Sequence, residues 1–126
     1  GDVDALSAPL LDDTVAWYEN DGSQSFAERV ITNSADAATN VFAIDVDGDG
    51  DVDALASSAN DDTVAWFEND GSQSFSERVV TTLADHAYAV FAIDVDGDAD
   101  VDALSTSWSD DAVASYENDG SQSFTE

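Results

Sequence analysis

Nine consecutive residues carry the densest chemistry in the chain: Asp45, Val46, Asp47, Gly48, Asp49, Gly50, Asp51, Val52 and Asp53. Carboxylates stand at positions 1, 3, 5, 7 and 9, and Gly48 and Gly50 let the backbone turn tightly between them. A hard cation such as calcium takes about six to eight oxygens. The side chains of Asp45, Asp47, Asp49 and Asp53, the carbonyl of Asp51 and a water or two meet that count. Magnesium is the weaker choice because it tends to keep its own waters. Without an ion, five aspartates at alternate positions would repel one another strongly. An EF-hand opens similarly but needs a bidentate Glu at its twelfth position and flanking helices. Here the twelfth residue is Ala56 and the flanks have strand character.

The pattern returns at Asp94, Asp96, Asp98, Asp100 and Asp102, with Ala99 in place of the second glycine. If that position requires φ > 0, Ala99 weakens cation binding in the second loop relative to the first. A first copy keeps only Asp2 and Asp4 and is not expected to hold an ion alone.

Other groups invite chemistry less. Paired carboxylates suggest glycoside hydrolysis, yet almost every acid recurs at the repeat period, whereas a catalytic pair is normally unique in a fold. No enzymatic activity is expected. Asp12-Asp13, Asp61-Asp62 and Asp110-Asp111 read as turn formers and solvated charge rather than a second cation site. His86 is the only histidine, falls in a variable stretch and reads as a surface residue. Trp17 and Trp66 match each other and read as packing between units, while the third copy has Ser115. Trp108 stands where the other copies have Leu10 and Ala59; an exposed aromatic there can stack on a sugar face, a minor reading that rests on one residue. The only two cations, Arg29 and Arg78, are expected in exposed pairs with the adjacent Glu28 and Glu77.

What positions the acidic loops is a repeat. Gly1-Asp2-Val3-Asp4-Ala5-Leu6 returns at Gly50 to Leu55 and at Ala99 to Leu104, a shift of about 49 residues. Glu19 to Phe26 recurs in step at Glu68 to Phe75 and Glu117 to Phe124. The copies diverge mainly at 7–11, 56–60 and 105–109, and at 33–40 and 82–89, which read as loops. Four runs with strand character remain in the complete unit: 41–46, 52–57, 63–67 and 75–82. Val64 to Phe67 is apolar on both faces, as in a strand whose sheet is covered on each side. Asn69-Asp70-Gly71-Ser72 reads as a tight hairpin turn. No helical periodicity appears. The fold class is therefore all-β, with blades of four antiparallel strands and about two and a half repeats of the propeller type. The units fall at 1–40 (a partial blade, strands 2–4), 41–89 (a complete blade) and 90–126 (a partial blade, strands 1–3 and the start of 4).

The chain has 126 residues, with 29 acidic residues against two arginines and a formal charge of −27. That balance sets aside nucleic acid and anionic membrane surfaces as partners, since both require a cationic face. Such self-repulsion calls for high salt or bound cations, both abundant in seawater and outside cells, so an extracellular or cell-surface location is expected. A hydrophobic content of 43% is enough to fold. Cysteine is absent, which removes disulfides and thiolate zinc sites. No stretch approaches the ~20 apolar residues of a membrane span. A start at Gly1 without an initiator reads as excision from, or processing of, something longer.

Asp-x-Asp-Gly-Asp-Gly-x-x-Asp between two strands, met at Asp45 to Asp53 and, but for Ala99, at Asp94 to Asp102, resembles the FG-GAP and VCBS repeats of integrin α-chain propellers, fungal propeller lectins and marine bacterial surface proteins. The resemblance spans the whole chain, although Phe42-Ala43 and Phe91-Ala92 stand where Phe-Gly is common. It implies a calcium loop at one rim of a propeller, stiffening the turn between the two innermost strands, with glycan or protein binding on other surfaces. The ligand assignment given above carries over to both loops. The function expected is a calcium-binding extracellular structural or adhesive repeat, assembling blade to blade with other copies or neighbouring blades into a propeller or fibre. A lectin-like glycan-binding module is the alternative, and an accessory domain of a secreted enzyme is a third reading.

Overall fold

The computed structural model describes residues 4–126, so Asp2 of the first acidic half-loop lies outside the described residues. All regular structure among them is strand: β1 (Ala5–Ser7), β2 (Val15–Asn20), β3 (Phe26–Thr32), β4 (Ala38–Ile44), β5 (Asp53–Ser58), β6 (Thr63–Asn69), β7 (Phe75–Thr81), β8 (Ala87–Ile93), β9 (Asp102–Ser107), β10 (Val113–Asn118) and β11 (Phe124–Thr125). They form three antiparallel meanders, β1-β2-β3, β4-β5-β6-β7 and β8-β9-β10-β11. The three sheets are called here the first, second and third blades. β8 packs against β4 and β5, and β1 approaches β4, so successive blades meet through their early strands.

The repeat in sequence becomes a repeat in register. Leu55 pairs with Trp66 as Leu6 pairs with Trp17, and Trp66 pairs with Arg78 as Trp17 pairs with Arg29. Irregularities recur too, at Val15/Ala16 and Val64/Ala65, and at Ala38/Asn40 and Ala87/Ala89. This second pair corrects the loops expected at 33–40 and 82–89, whose last three residues open β4 and β8. Sequence varies there because the bulge loosens the ladder, while fully buried Ala38 and Ala87 keep the strand seated. Strand ends shift elsewhere: Val46 and Val52 belong to the acidic loop, and β6 runs on to Asn69. The hairpin expected at Asn69 to Ser72 is a wider loop, 70–74. Asp70 closes it, its N–H donating to the Ser74 carbonyl at 3.1 Å and its carboxylate accepting from the Ser72 N–H at 2.9 Å.

Because successive side chains on a strand point to opposite faces, β6 splits its residues between two cores. Ala65 and Phe67 join Val15, Ala38, Ala54 and Ala56 between the first and second blades. Val64 and Trp66 join Leu55, Val90, Ala92, Ala103 and Tyr116 between the second and third. All residues from Thr63 to Phe67 are buried, as a strand covered on both faces requires. The same alternation corrects the ion pairs. Glu28 and Arg29 are sequence neighbours on opposite faces, so Arg29 pairs with Glu19 across the sheet, and Arg78 with Glu68. Arg78 also caps the Trp66 ring, 5.3 Å from its centroid.

Candidate metal centre

Each acidic loop links the first strand of a blade to the second, and backbone N–H groups fold it onto its own carboxylates. Asp45 accepts from Gly48 at 2.8 Å and Gly50 at 3.0 Å, Asp47 from Asp49 at 3.2 Å, and Asp49 from Asp51 at 2.8 Å. Positive φ at Gly48 (76°) and Gly50 (97°) aims those N–H groups inward. Asp53, the first residue of β5, is buried and spans two elements. Its Oδ2 accepts from Val46 N–H at 3.0 Å and its Oδ1 from Asn69 N–H at 2.8 Å.

Asp45, Asp47 and Asp53 offer carboxylate oxygens all within 4.8 Å of one another, and Asp94, Asp96 and Asp102 do the same in the next blade. Asp49 and Asp51, and likewise Asp98 and Asp100, stand outside these groups. The Asp51 side chain lies against the 70–74 loop, where a Cβ on Gly71 would come within 2.5 Å of its Oδ2. Asp100 and Gly120 repeat the arrangement at 2.6 Å. That contact, besides φ, explains glycine at both positions. In the first blade Asp4 Oδ1 accepts from Asn20 N–H at 2.8 Å, the counterpart of the bond between Asp53 and Asn69.

These carboxylates face no cationic side chain, since both arginines are engaged by glutamates. Burial pushes the Asp53 carboxyl above its ordinary pKa against the pull of the Asn69 and Val46 N–H groups. Burial also raises Asp47, with the charges of Asp49 and Asp53 adding to it. For Asp96 the Asp98 N–H pulls downward, but desolvation and the charges of Asp98 and Asp102 outweigh it. The buried Trp66 ring N–H completes no hydrogen bond, yet lies close enough to Asp53 to favour its charged form. An all-oxygen, net-negative donor set with raised carboxyls fits a hard divalent cation. Asp45, Asp47 and Asp53 are the side chains placed to hold it.

Ala99 adopts φ of 82° in the place of Gly50, and Asp94 still receives the Ala99 N–H at 3.1 Å. The position therefore does require the left-handed region. Nothing lies within 4 Å of a Cβ built on Gly50, so the cost of alanine is conformational rather than steric.

Away from the loops, Asp13, Asp62 and Asp111 are the expected turn formers, with φ of 56°, 56° and 55°. Two of them also stitch blades together, Asp13 accepting from Ala37 N–H at 3.0 Å and Asp62 from His86 N–H at 2.9 Å. Asp62, Asp85 and His86 form a third, more exposed ligand-like group. Trp108, 71% exposed, tilts against Tyr88 at 5.8 Å between ring centroids. Sequence reasoning missed Tyr88 because its copy in the preceding unit is Thr39 and only the fold brings it beside Trp108.

Two outcomes follow from the loop geometry. Ala99→Gly is expected to stabilise the protein by about 1 kcal/mol and Gly50→Ala to destabilise it by a similar amount, both read by chemical denaturation. For pH, a raised folded pKa means that the folded chain holds protons more tightly than the unfolded chain, so stability falls as pH rises through that window. The window opens near the ordinary carboxylate value of about 4. Asp21, Asp70 and Asp119 are lowered, chiefly by Ser23, Ser72 and Ser121 hydroxyls, and their contribution is lost only below it. In chelator, thermal melts are therefore expected to shift upward as pH falls from neutral toward about 4.

The FG-GAP-like repeat family matches this chain twice, over residues 1–56 and 45–105. No curated protein and no solved structure matches it. Both family matches take in acidic-loop residues, and the second runs from Asp45 at the head of one complete loop through Asp102 at the end of the next. This chain belongs to the FG-GAP-like repeat family.

Proposed function

We propose that the chain is a calcium-dependent, extracellular structural or adhesive repeat whose blades associate side to side. The observation that carries this reading is the convergence of Asp45, Asp47 and Asp53, repeated at Asp94, Asp96 and Asp102, with no cationic side chain to balance them. The formal charge of −27 favours a compartment rich in divalent cations. No helix among the described residues is long and apolar enough to cross a membrane. Association is supported by the third blade, where Val113 is 78% exposed although its copies Val15 and Val64 are fully buried against a following blade.

Thermal melting and solution mass, each with calcium and with chelator, test the proposal together. Calcium at a hundredfold excess over Kd is expected to raise the melting temperature by roughly 10 °C per site. Asp45→Asn should remove about half of that rise, and species larger than the 13.2 kDa monomer should appear with calcium. Identical melts and masses in both conditions would contradict it.

A second reading, glycan binding, is favoured by one observation: the exposed Tyr88 and Trp108 rings share a concave patch with Thr106, Ser107 and Asp111. Saturable quenching of Trp108 fluorescence by an oligosaccharide, lost in Tyr88→Ala, is its expected signature. A flat titration with folded protein removes it.

A further inference from the structure

Val46, inside the acidic loop, is 5% exposed because it plugs into the core shared with the third blade, whereas its copy Val95 is 53% exposed. Asp47 is half-buried and Asp96 is exposed. The two loops share their hydrogen bonding and, but for Ala99 in place of Gly50, their sequence; they differ as well in that the third blade packs on the first loop and no described blade packs on the second. From that third blade one side chain reaches back: Gln122, in the β10–β11 loop, places Nε2 3.4 Å from Asp47 Oδ2.

The glutamine recurs at the same loop position in all three blades, always in the left-handed region, with φ of 67° at Gln24, 66° at Gln73 and 65° at Gln122. The backbone conformation at this position is therefore set by its own loop and not induced by a neighbour. Asp119 makes that loop, accepting from Ser121 N–H and Ser121 Oγ while its own N–H donates to the Ser123 carbonyl. Asn, Asp or Gly would occupy positive φ at lower cost, so local conformation does not account for glutamine. Burial separates the copies: Gln24 and Gln73 are exposed, while Gln122, facing a complete acidic loop, is half-buried. Gln73 lines a cavity of about 280 Å³ beside Asp4, the remnant of such a loop.

We infer that Gln122 is an inter-blade clasp, a positioning residue whose amide holds Asp47 from the third blade, so that cation binding at Asp45 to Asp53 is coupled to docking of the third blade on the second. The Asp49 N–H holds Asp47 Oδ1 and Gln122 holds Oδ2, fixing the carboxylate plane from both sides of the junction. Val46 supplies the apolar anchor of the same clasp. The acidic loop then acts between blades as well as within one, and by linkage a docked blade raises cation affinity as much as the cation raises docking. This inference rests on the cation reading above.

The test uses the full chain with its second loop disabled by Asp96→Asn and Asp98→Asn, leaving Asp45 to Asp53 for calorimetric titration with calcium. Gln122→Ala is expected to weaken that site roughly tenfold, the low end for removing a group that orients a metal ligand. Gln73→Ala, the same change facing Asp4, is expected to leave it unchanged. Gln122→Glu separates positioning from packing: it repels Asp47 without calcium and supplies another oxygen with it, so the calcium-induced rise in melting temperature should exceed that of the parent. Absence of calcium binding in the parent would defeat the cation reading itself. Intact binding with equal affinity in Gln122→Ala and Gln73→Ala, or an unchanged calcium-induced rise in Gln122→Glu, would overturn the clasp alone.

Discussion

The constraint on which the rest depends is a carboxylate placed where charge is expensive. Asp53 is buried at the start of β5, accepts one N–H from the acidic loop and one from the end of β6, and has no cationic side chain beside it. Those two bonds fix where the loop leaves β4 and where β6 turns toward β7. Asp102 makes the same two bonds, with Val95 at 2.8 Å and Asn118 at 2.9 Å. Hydrogen bonds from neutral donors satisfy its lone pairs but do not cancel its charge, and Asp47 and Asp45 add more of the same sign within a few ångströms. The blade geometry therefore creates a demand for positive charge that the sequence, with two arginines committed elsewhere, does not meet.

Packing distributes that local demand along the repeat. The acidic loop is continuous with β5, whose Leu55 and Ala54 face different neighbours, and with Val46, whose side chain enters the next blade. Whatever stiffens the loop also fixes one wall of the junction. Trp66 belongs to the same wall: it fills the space between the second and third blades, is edged by Phe124 at 6.5 Å, and turns its ring N–H toward Asp53. Polar and apolar parts of the junction thus meet at one residue.

Much of this is legible in the sequence. Aspartates at alternate positions with glycines between them specify a tight, acidic turn, and a period of about 49 residues specifies repeated sheets. The all-β class, the three sheets and the two-sided burial of Val64 to Phe67 follow from local pattern alone. Features needing two distant segments were not legible. Nothing near Gln122 in sequence announces Asp47, and nothing near Tyr88 announces Trp108. Ion pairing was misread for a simpler reason, adjacency in sequence being the wrong measure of distance on a strand. The opening residues of β4 and β8 were hidden because sequence divergence marks loosely paired bulges as readily as it marks loops.

The account stands most directly on where a cation sits. A crystal structure of the chain grown with calcium, with anomalous scattering used to identify the ion, is expected to show one calcium about 2.3–2.6 Å from oxygens of Asp45, Asp47 and Asp53, and a second among Asp94, Asp96 and Asp102. Calcium absent from both loops at saturating concentration, with the carboxylates still converged, would contradict it.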